Sequence, residues 1–138
     1  MLKGIPKIIS PALLKTLAEM GHGDELCIAD GNFPGSSMAQ RLVRADGHGA
    51  EEILTAILQL CPLDTYAPPV YIMEKVPGDR VEVPIWDRFA DIISSYTQTD
   101  IERLERYVFY ERAKKCYAVV QTGETAWYAN IIIKKGTV

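Results

Sequence analysis

Residues 21–34, Gly-His-Gly-Asp-Glu-Leu-Cys-Ile-Ala-Asp-Gly-Asn-Phe-Pro, hold the side chains of this sequence that are best suited to proton transfer. His22 follows a predicted helix, and Asp30 lies in a turn beyond a short apolar run. Imidazole gives and takes protons readily near neutral pH, because the ordinary pKa of histidine is about 6.5. The segment therefore places an imidazole and a carboxylate at the two ends of one strand-like element.

A second group of polar and aromatic residues comes from the last third of the chain. Arg106 lies near an aromatic cluster that includes Tyr110, and Tyr128 and Asn130 come just before or within a predicted strand. Carboxylates and amides bind adjacent hydroxyls through directional hydrogen bonds, and an aromatic face covers the apolar side of a sugar ring. Combined with the imidazole and the carboxylate, these residues predict a pocket for a polyhydroxylated neutral ligand.

Each of these residues also has a structural explanation. A histidine after a helix is often a cap or a surface residue, an aspartate before a glycine is a turn residue, and the phenol and amide fit a strand edge. A metal site would use His22, Asp24, Asp30 and His48. However, the chain lacks His-Glu-x-x-His and Cys-x-x-Cys spacings, a phosphate-binding loop and a dinucleotide fingerprint. We therefore expect neither a metal nor a cofactor.

The composition is that of one globular domain over residues 1–138, with 48% apolar and 24% charged residues. A net charge of −3 gives no electrostatic reason to bind nucleic acid or an anionic membrane, and no apolar run approaches the ~20 residues that span a bilayer. The cysteines, Cys27, Cys61 and Cys116, are odd in number and lie among apolar neighbours. They predict reduced thiols and a cytoplasmic location.

The chain alternates between helix and strand patterns. Helices are predicted from Ser10-Pro11 to Gly21, after Gly49, and over 84–96. Strands are predicted at 26–29, 41–44, 70–76, 117–121 and 130–134. The pattern after Asp100 leaves open whether one helix continues through Ala113. This alternation predicts an α/β, three-layer sandwich with a central, largely parallel sheet, and its exposed edges favour an oligomer.

Six segments, taken in order, resemble the RbsD/FucU family of sugar mutarotases. They are residues 17–25 (LAEMGHGDE), 30–34 (DGNFP), 44–47 (RADG), 62–66 (PLDTY), 109–115 (FYERAKK), and 122–124 with 128–130 (TGE and YAN). The resemblance covers essentially the whole chain. Residues 32–34 and 109–112 are similar to the fucose mutarotase branch, whereas the ribose pyranase branch has different residues after its equivalent of Asp30.

The resemblance implies an isomerase that interconverts the α and β anomers of free L-fucose without a cofactor. It also implies a ring-shaped homo-oligomer, a decamer, with active sites near subunit contacts. His22 matches the catalytic acid/base of the family. The positions that match sugar-binding residues are Asp30, Arg106, Tyr128 and Asn130, and those that match residues of the fucose branch are Asp64 and Tyr110.

Anomer exchange requires a proton delivered to the ring oxygen and another removed from the anomeric hydroxyl. His22 would serve as the acid/base, and either Tyr110 or Tyr128 would relay the second proton. Three alternatives remain open at this point: a D-ribose pyranase, a non-catalytic sugar-binding or transport-associated protein, and a structural ring protein. Only an enzyme would accelerate the exchange between anomers.

Overall fold

Six strands and five helices make up the fold in the computed structural model, which describes all residues from Met1 to Val138. In chain order the elements are α1 (Pro11–Glu19), β1 (Glu25–Ala29), α2 (Gly35–Met38), β2 (Leu42–Ala45), α3 (Ala50–Leu58), β3 (Val70–Met73), α4 (Ile85–Ser94), β4 (Glu102–Leu104), α5 (Arg106–Lys115), β5 (Ala118–Thr122) and β6 (Ile131–Lys134). All five predicted strands fall on β1, β2, β3, β5 and β6, with ends that differ by up to three residues.

The strands form one sheet in the order β2-β5-β1-β6-β3-β4. The pairs β2·β5, β1·β5 and β3·β4 are parallel, whereas β6 is antiparallel to both β1 and β3. The largely parallel sheet is therefore confirmed. As a result, the C-termini of five strands and the N-terminus of β6 share one edge of the sheet, which we call the carboxyl edge. The opposite edge is the amino edge.

Alternate residues of the central strands pack into two separate cores. Leu26 and Ile28 of β1 belong to a cluster of 24 buried residues that includes side chains of α1, α3 and α4. Cys27 and Ala29 face the other way and join a cluster of ten with Phe109 of α5. Helices thus cover both faces of the sheet, which confirms the three-layer architecture and explains why the strands are apolar on both sides.

Local capping accounts for the helix boundaries. Ser10 Oγ accepts a hydrogen bond from the Leu13 N–H at 3.1 Å, as predicted for the start of α1. The segment after Asp100 is a strand followed by a helix, because β4 pairs with β3 and the Glu105 carboxylate then accepts from the Tyr107 N–H at 2.8 Å to cap α5. The single turn of α2 was not predicted.

Two further features concern the chain as a whole. The three cysteines are buried and unpaired, as predicted. None of the helices is long and apolar enough to cross a membrane.

Candidate functional site

A cavity of about 300 Å³ opens at the carboxyl edge of the sheet. Its lining combines carboxylates, amides and aromatic rings: Asp30, Asn32, Phe33, Met73, Asp79, Tyr110, Trp127, Tyr128 and Asn130. We call this the carboxyl-edge pocket. It unites four of the residues that the sequence predicts for a site, although 100 positions separate the first from the last. Pockets at this edge are typical of open α/β sheets.

Asp30 and Asn130 form the polar floor of the pocket. The Asp30 N–H donates to Asn130 Oδ1 at 2.8 Å, and Asn130 Nδ2 donates in return to Asp30 Oδ2 at 3.0 Å. The other carboxylate oxygen, Asp30 Oδ1, accepts from the Asn32 N–H at 3.0 Å. Both side chains are buried. The two strand ends are therefore joined by bonds that also fix the orientation of the carboxylate.

Burial dominates the protonation of this carboxylate. It raises the pKa of Asp30 above its ordinary value, and hydrogen bonds, led by that from the Asn32 N–H, partly oppose the rise. A carboxylate in such a position is poorly solvated. A ligand hydroxyl that donates to it replaces lost hydration, which favours polyhydroxylated molecules.

Tyr128 has an unusual backbone conformation, with φ at +56°, which residues other than glycine seldom adopt. Its carbonyl accepts a hydrogen bond from Trp86 Nε1 at 3.0 Å, and its hydroxyl donates to Asp79 Oδ2 at 2.6 Å. The Val76 N–H donates to the same hydroxyl oxygen at 3.2 Å. Tertiary contacts thus hold this residue at both its backbone and its hydroxyl.

The phenol of Tyr128 and the carboxylate of Asp79 influence each other. Their hydrogen bond raises the pKa of Tyr128 and lowers the pKa of Asp79. The charge of Arg106 acts on the phenol in the opposite direction, which places this guanidinium near the pocket although it is not part of the lining. Arg106 begins α5, and its Nη2 donates to Tyr107 Oη at 2.8 Å.

Tyr110 forms the aromatic side of the pocket. Its ring centroid lies 5.6 Å from that of Phe33, in an edge-to-face arrangement. The residue is on the second turn of α5, so α5 supplies both this wall and the nearby guanidinium. Polar floor and aromatic wall together provide the two kinds of contact that a sugar ring needs.

His22 and Asp64 form a separate pair at the amino edge. His22 Nε2 lies 3.0 Å from Asp64 Oδ1, and that oxygen also accepts from the Tyr66 N–H at 3.1 Å. The imidazole is 44% exposed, whereas the carboxylate is only 5% exposed. The hydrogen bond from His22 is the main cause that lowers the pKa of Asp64. We call these two residues the His22–Asp64 pair.

The turn after α1 places the imidazole at this edge. Gly23 has a φ of +85°, which glycine adopts without strain, and the Gly21 N–H donates to Asp24 Oδ2 at 2.7 Å. Lys135, just beyond β6, donates from Nζ to the carbonyls of Leu17 and Met20 at the end of α1. The turn is therefore tied to the C-terminal end of β6, the strand that Asn130 precedes.

One chain does not bring His22 beside Asp30. The two residues flank opposite ends of β1, whose five residues span roughly 17 Å at about 3.3 Å per residue. The same strand that connects them in sequence keeps them apart in space. In the isolated chain the carboxylate partner of His22 is Asp64, so the prediction of a combined site requires a second copy.

Asn32 and Asp79 are polar lining residues that were not predicted as site residues, and Asp79 is the charged one of the two. The sequence Pro77-Gly78-Asp79 resembles an ordinary turn, and no histidine lies near Asp79 in the sequence. The available signal was topological, because a carboxylate in the loop after a buried strand can face the carboxyl edge of a parallel sheet.

The four residues of the metal alternative do not come together at one point. His22 contacts Asp64, whereas His48 contacts Glu52 in the first turn of α3. No group of three or more histidine, cysteine, aspartate or glutamate side chains is arranged to hold a metal ion.

The fold and the pocket define a class: a small α/β protein with an open, polar and aromatic-lined cleft at the carboxyl edge of its sheet. Within that class, the chain belongs to the RbsD / FucU transport protein family, which matches residues 3–138. This confirms the resemblance noted in the sequence.

Three relatives illustrate the similarity. The fucose mutarotase of Mus musculus is 51% identical over 144 residues, which cover 99% of this chain and 94% of the relative. A crystal structure of FucU from Bifidobacterium longum is 56% identical, with a TM-score of 0.96 and 99% of each chain covered. The structure of fucose mutarotase in complex with L-fucose from Streptococcus pneumoniae is 52% identical, with a TM-score of 0.94 and 99% of each chain covered.

Proposed function

We propose that this protein is an L-fucose mutarotase, an isomerase that interconverts the α and β anomers of the free sugar. The single observation that supports this most directly is the carboxyl-edge pocket, where Asp30, Tyr128 and Asn130 converge. Relatives with half of the same residues over nearly the whole chain are named fucose mutarotases, and one of them was crystallised with L-fucose. We propose residues 1–138 as one mutarotase domain.

In this proposal the pocket binds the sugar. Asp30 and Asn130 hold the sugar hydroxyls, because their oxygens and amide hydrogens are already oriented by mutual hydrogen bonds. Arg106 supplies a positive charge at the rim, and the Tyr110 ring covers an apolar part of the sugar. Sugar hydroxyls need several directional partners of this kind.

His22 is the acid/base in this proposal. A neutral imidazole that donates from Nε2 to Asp64 keeps the lone pair on Nδ1 available to accept a proton. When the imidazole takes up a proton, Nδ1 becomes a donor while Nε2 continues to donate to the carboxylate. Asp64 is therefore a positioning residue that fixes the ring while its exposed side changes protonation state.

The reaction needs no group beyond these side chains. One proton moves to the ring oxygen of the sugar and another leaves the anomeric hydroxyl, so the C1–O5 bond opens and the ring closes on its other face. We assign one of these two proton transfers to His22. Either Tyr110 or Tyr128 relays the other proton. General acid–base catalysis of this kind contributes about 10²–10⁴-fold.

A second copy of the chain supplies the imidazole to each pocket. The pocket lies at one edge of the sheet and the His22–Asp64 pair at the other, so each contact joins two different surfaces. A contact of this head-to-tail type closes into a ring when the rotation between subunits allows it. Exposed aromatic residues beside both surfaces, Tyr66 near His22 and Trp127 at the pocket, are available for that contact.

We propose a ring-shaped homo-oligomer on this basis, and a decamer from the family resemblance. The three unpaired, buried thiols support a cytoplasmic location. A second candidate function is non-catalytic sugar binding, because the name of the RbsD / FucU transport protein family refers to transport.

Exchange NMR on the anomeric protons of L-fucose tests the function. A mutarotase transfers saturation between the α and β resonances at catalytic protein concentrations, whereas a binding protein leaves the exchange rate unchanged. D-ribose in the same sample provides the comparison for the pyranase alternative. Faster exchange of ribose than of fucose would contradict the proposed substrate.

A further inference from the structure

Asp79 is placed in the pocket wall by its own loop. The residue lies between β3 and α4, and its Oδ1 accepts a hydrogen bond from the Val81 N–H at 3.0 Å. Lys75 Nζ donates to the Val81 carbonyl at 3.0 Å, which closes the loop on itself. The second carboxylate oxygen, Oδ2, is then left to face Tyr128. Each oxygen of this carboxylate therefore has a distinct partner.

Counting hydrogen bonds at the Tyr128 hydroxyl shows what it can offer a ligand. A phenol has one hydrogen to donate and two lone pairs to accept with. The hydrogen is directed to Asp79 at 2.6 Å, and one lone pair accepts from the Val76 N–H at 3.2 Å. One lone pair remains, so this hydroxyl can accept a hydrogen bond in the pocket but has no hydrogen left to donate.

We propose that Asp79 is a positioning residue for the active site, which orients the Tyr128 hydroxyl as an acceptor for a hydroxyl hydrogen of the sugar. The inference rests on the proposed function. Asp79 acts through Tyr128, whose backbone is itself fixed by the Trp86 indole. The carboxylate thereby determines the direction of one hydrogen bond between protein and substrate.

Asp79→Asn reverses that direction while preserving the shape of the side chain. The Val81 N–H still requires an acceptor, so the amide oxygen takes the position of Oδ1. The amide NH₂ then faces Tyr128 and donates to the phenol oxygen, which turns the phenolic hydrogen toward the sugar. By contrast, Asp79→Ala removes the partner and leaves the hydroxyl free to rotate into an accepting orientation.

Comparing the loss of activity in Asp79→Asn with that in Asp79→Ala distinguishes this positioning role from a purely structural one. We expect Asp79→Asn to lower kcat/KM for anomer exchange by about tenfold or more, because two donors then face each other, and Asp79→Ala to lower it less. Tyr128→Phe is expected to cause no further loss when it is added to Asp79→Asn, since both changes act on one hydroxyl. Asp91→Asn, an exposed carboxylate on α4, is the control and retains wild-type exchange.

A spectroscopic measurement reads the same contact without turnover. The chain has seven tyrosines, and the absorbance of tyrosinate reports their ionisation. Loss of the Asp79 charge is expected to let one tyrosine ionise at a lower pH than in the wild type, while Arg106, whose charge also acts on this phenol, is unchanged. Tyr128→Phe lacks that ionisation step in both backgrounds.

Three results would overturn the inference: a greater loss for Asp79→Ala than for Asp79→Asn, additive losses in the double variant, or a tyrosine titration unaffected by Asp79→Asn. Failure of the proposed function looks different. In that case the wild type does not couple the anomeric resonances of L-fucose, while the shifted tyrosine titration still reports the contact between Asp79 and Tyr128.

Discussion

The two edges of the sheet present their polar groups in contrasting ways. At the carboxyl edge, Asp30 and Asn130 are buried and bonded to each other through both backbone and side chain. At the amino edge, the His22 imidazole is 44% exposed and has one side-chain partner, Asp64. We propose that the first arrangement is a preformed receptor for the sugar. In the same proposal, the second presents an acid/base outward, toward another copy of the chain.

Opposite pKa shifts reflect the same contrast. Burial raises the pKa of Asp30, because its charge loses hydration, whereas the hydrogen bond from His22 lowers the pKa of Asp64. A ligand that donates hydroxyl hydrogens would give Asp30 the hydrogen bonds that it has lost from water. Asp64 already accepts hydrogen bonds from its own chain. Binding and proton transfer are therefore assigned to different edges, and each can be disrupted separately.

The largest expected effect is that of His22→Ala. We expect the exchange rate between fucose anomers to fall by about 10²–10⁴-fold, because the acid/base is lost. Affinity for L-fucose should fall much less than the exchange rate, since Asp30 and Asn130 of the pocket are unchanged. The melting temperature should fall only modestly, because Asp64 keeps the Tyr66 N–H as a partner. Exchange NMR and calorimetry measure these quantities.

His48→Ala is the matched control for that variant. This second imidazole is 43% exposed, contacts Glu52 and does not line the carboxyl-edge pocket. It should retain full activity. Wild-type exchange in His22→Ala would remove the acid/base assignment, and an equal loss in both variants would point to a general effect of removing histidine.

Asp30→Asn tests the opposite edge and should weaken binding. The two carboxylate oxygens accept from the Asn32 N–H and from Asn130 Nδ2, so an amide NH₂ at this position must face a donor. We expect loss of about 1–3 kcal/mol in the free energy of unfolding and at least a tenfold lower affinity for L-fucose. Titration calorimetry with Asp91→Asn as control checks this; unchanged affinity would exclude Asp30 from the sugar site.

The smallest effect concerns the pH dependence of stability at the amino edge. The pKa of Asp64 is lower in the folded chain than its ordinary value. At a pH above that ordinary value the carboxylate is ionised, and its hydrogen bonds stabilise the fold. This contribution is lost as the pH falls through the folded pKa. The difference in unfolding free energy between wild type and Asp64→Asn should therefore narrow below about pH 4.

Chemical denaturation at several pH values gives that difference directly. Asp91→Asn serves again as the reference, because its exposed carboxylate has no comparable partner among the contacts of α4. A difference that grows in acid would contradict the assigned role of Asp64.

Much of the fold was predictable from local patterns. Ser10-Pro11 and the apolar strands gave the order of elements, and their alternation gave a three-layer sandwich with a largely parallel sheet. The elements that were not predicted, α2 and β4, are the shortest helix and the shortest strand. The four residues of α2 and the three of β4 contain too few positions for a periodic signal, and β4 depends on its pairing with β3.

The types of residue that form the site were predictable from the sequence, but their division between the two edges of the sheet was not. The residue types favoured a pocket that includes Asp30 and Asn130, but spacing could not show that the two would meet across neighbouring strands. Asp79 was not predictable as a site residue, because its partner, Tyr128, is 49 positions away in the sequence. The separation of His22 from the pocket follows from the direction of β1, which is a property of the sheet and not of any motif.

In the proposed enzyme, each site is formed by two copies of the chain, one giving the imidazole and the other the pocket. Co-expression of His22→Ala with Asp30→Asn tests this most directly. In a randomly mixed ring, about a quarter of the contacts join an intact imidazole to an intact pocket. At L-fucose concentrations well below KM, we predict that purified mixed oligomers recover about that share of wild-type anomer exchange, whereas the His22→Ala oligomer is nearly inactive and the Asp30→Asn oligomer retains about a tenth or less. Mixed oligomers no more active than the single variants would contradict it.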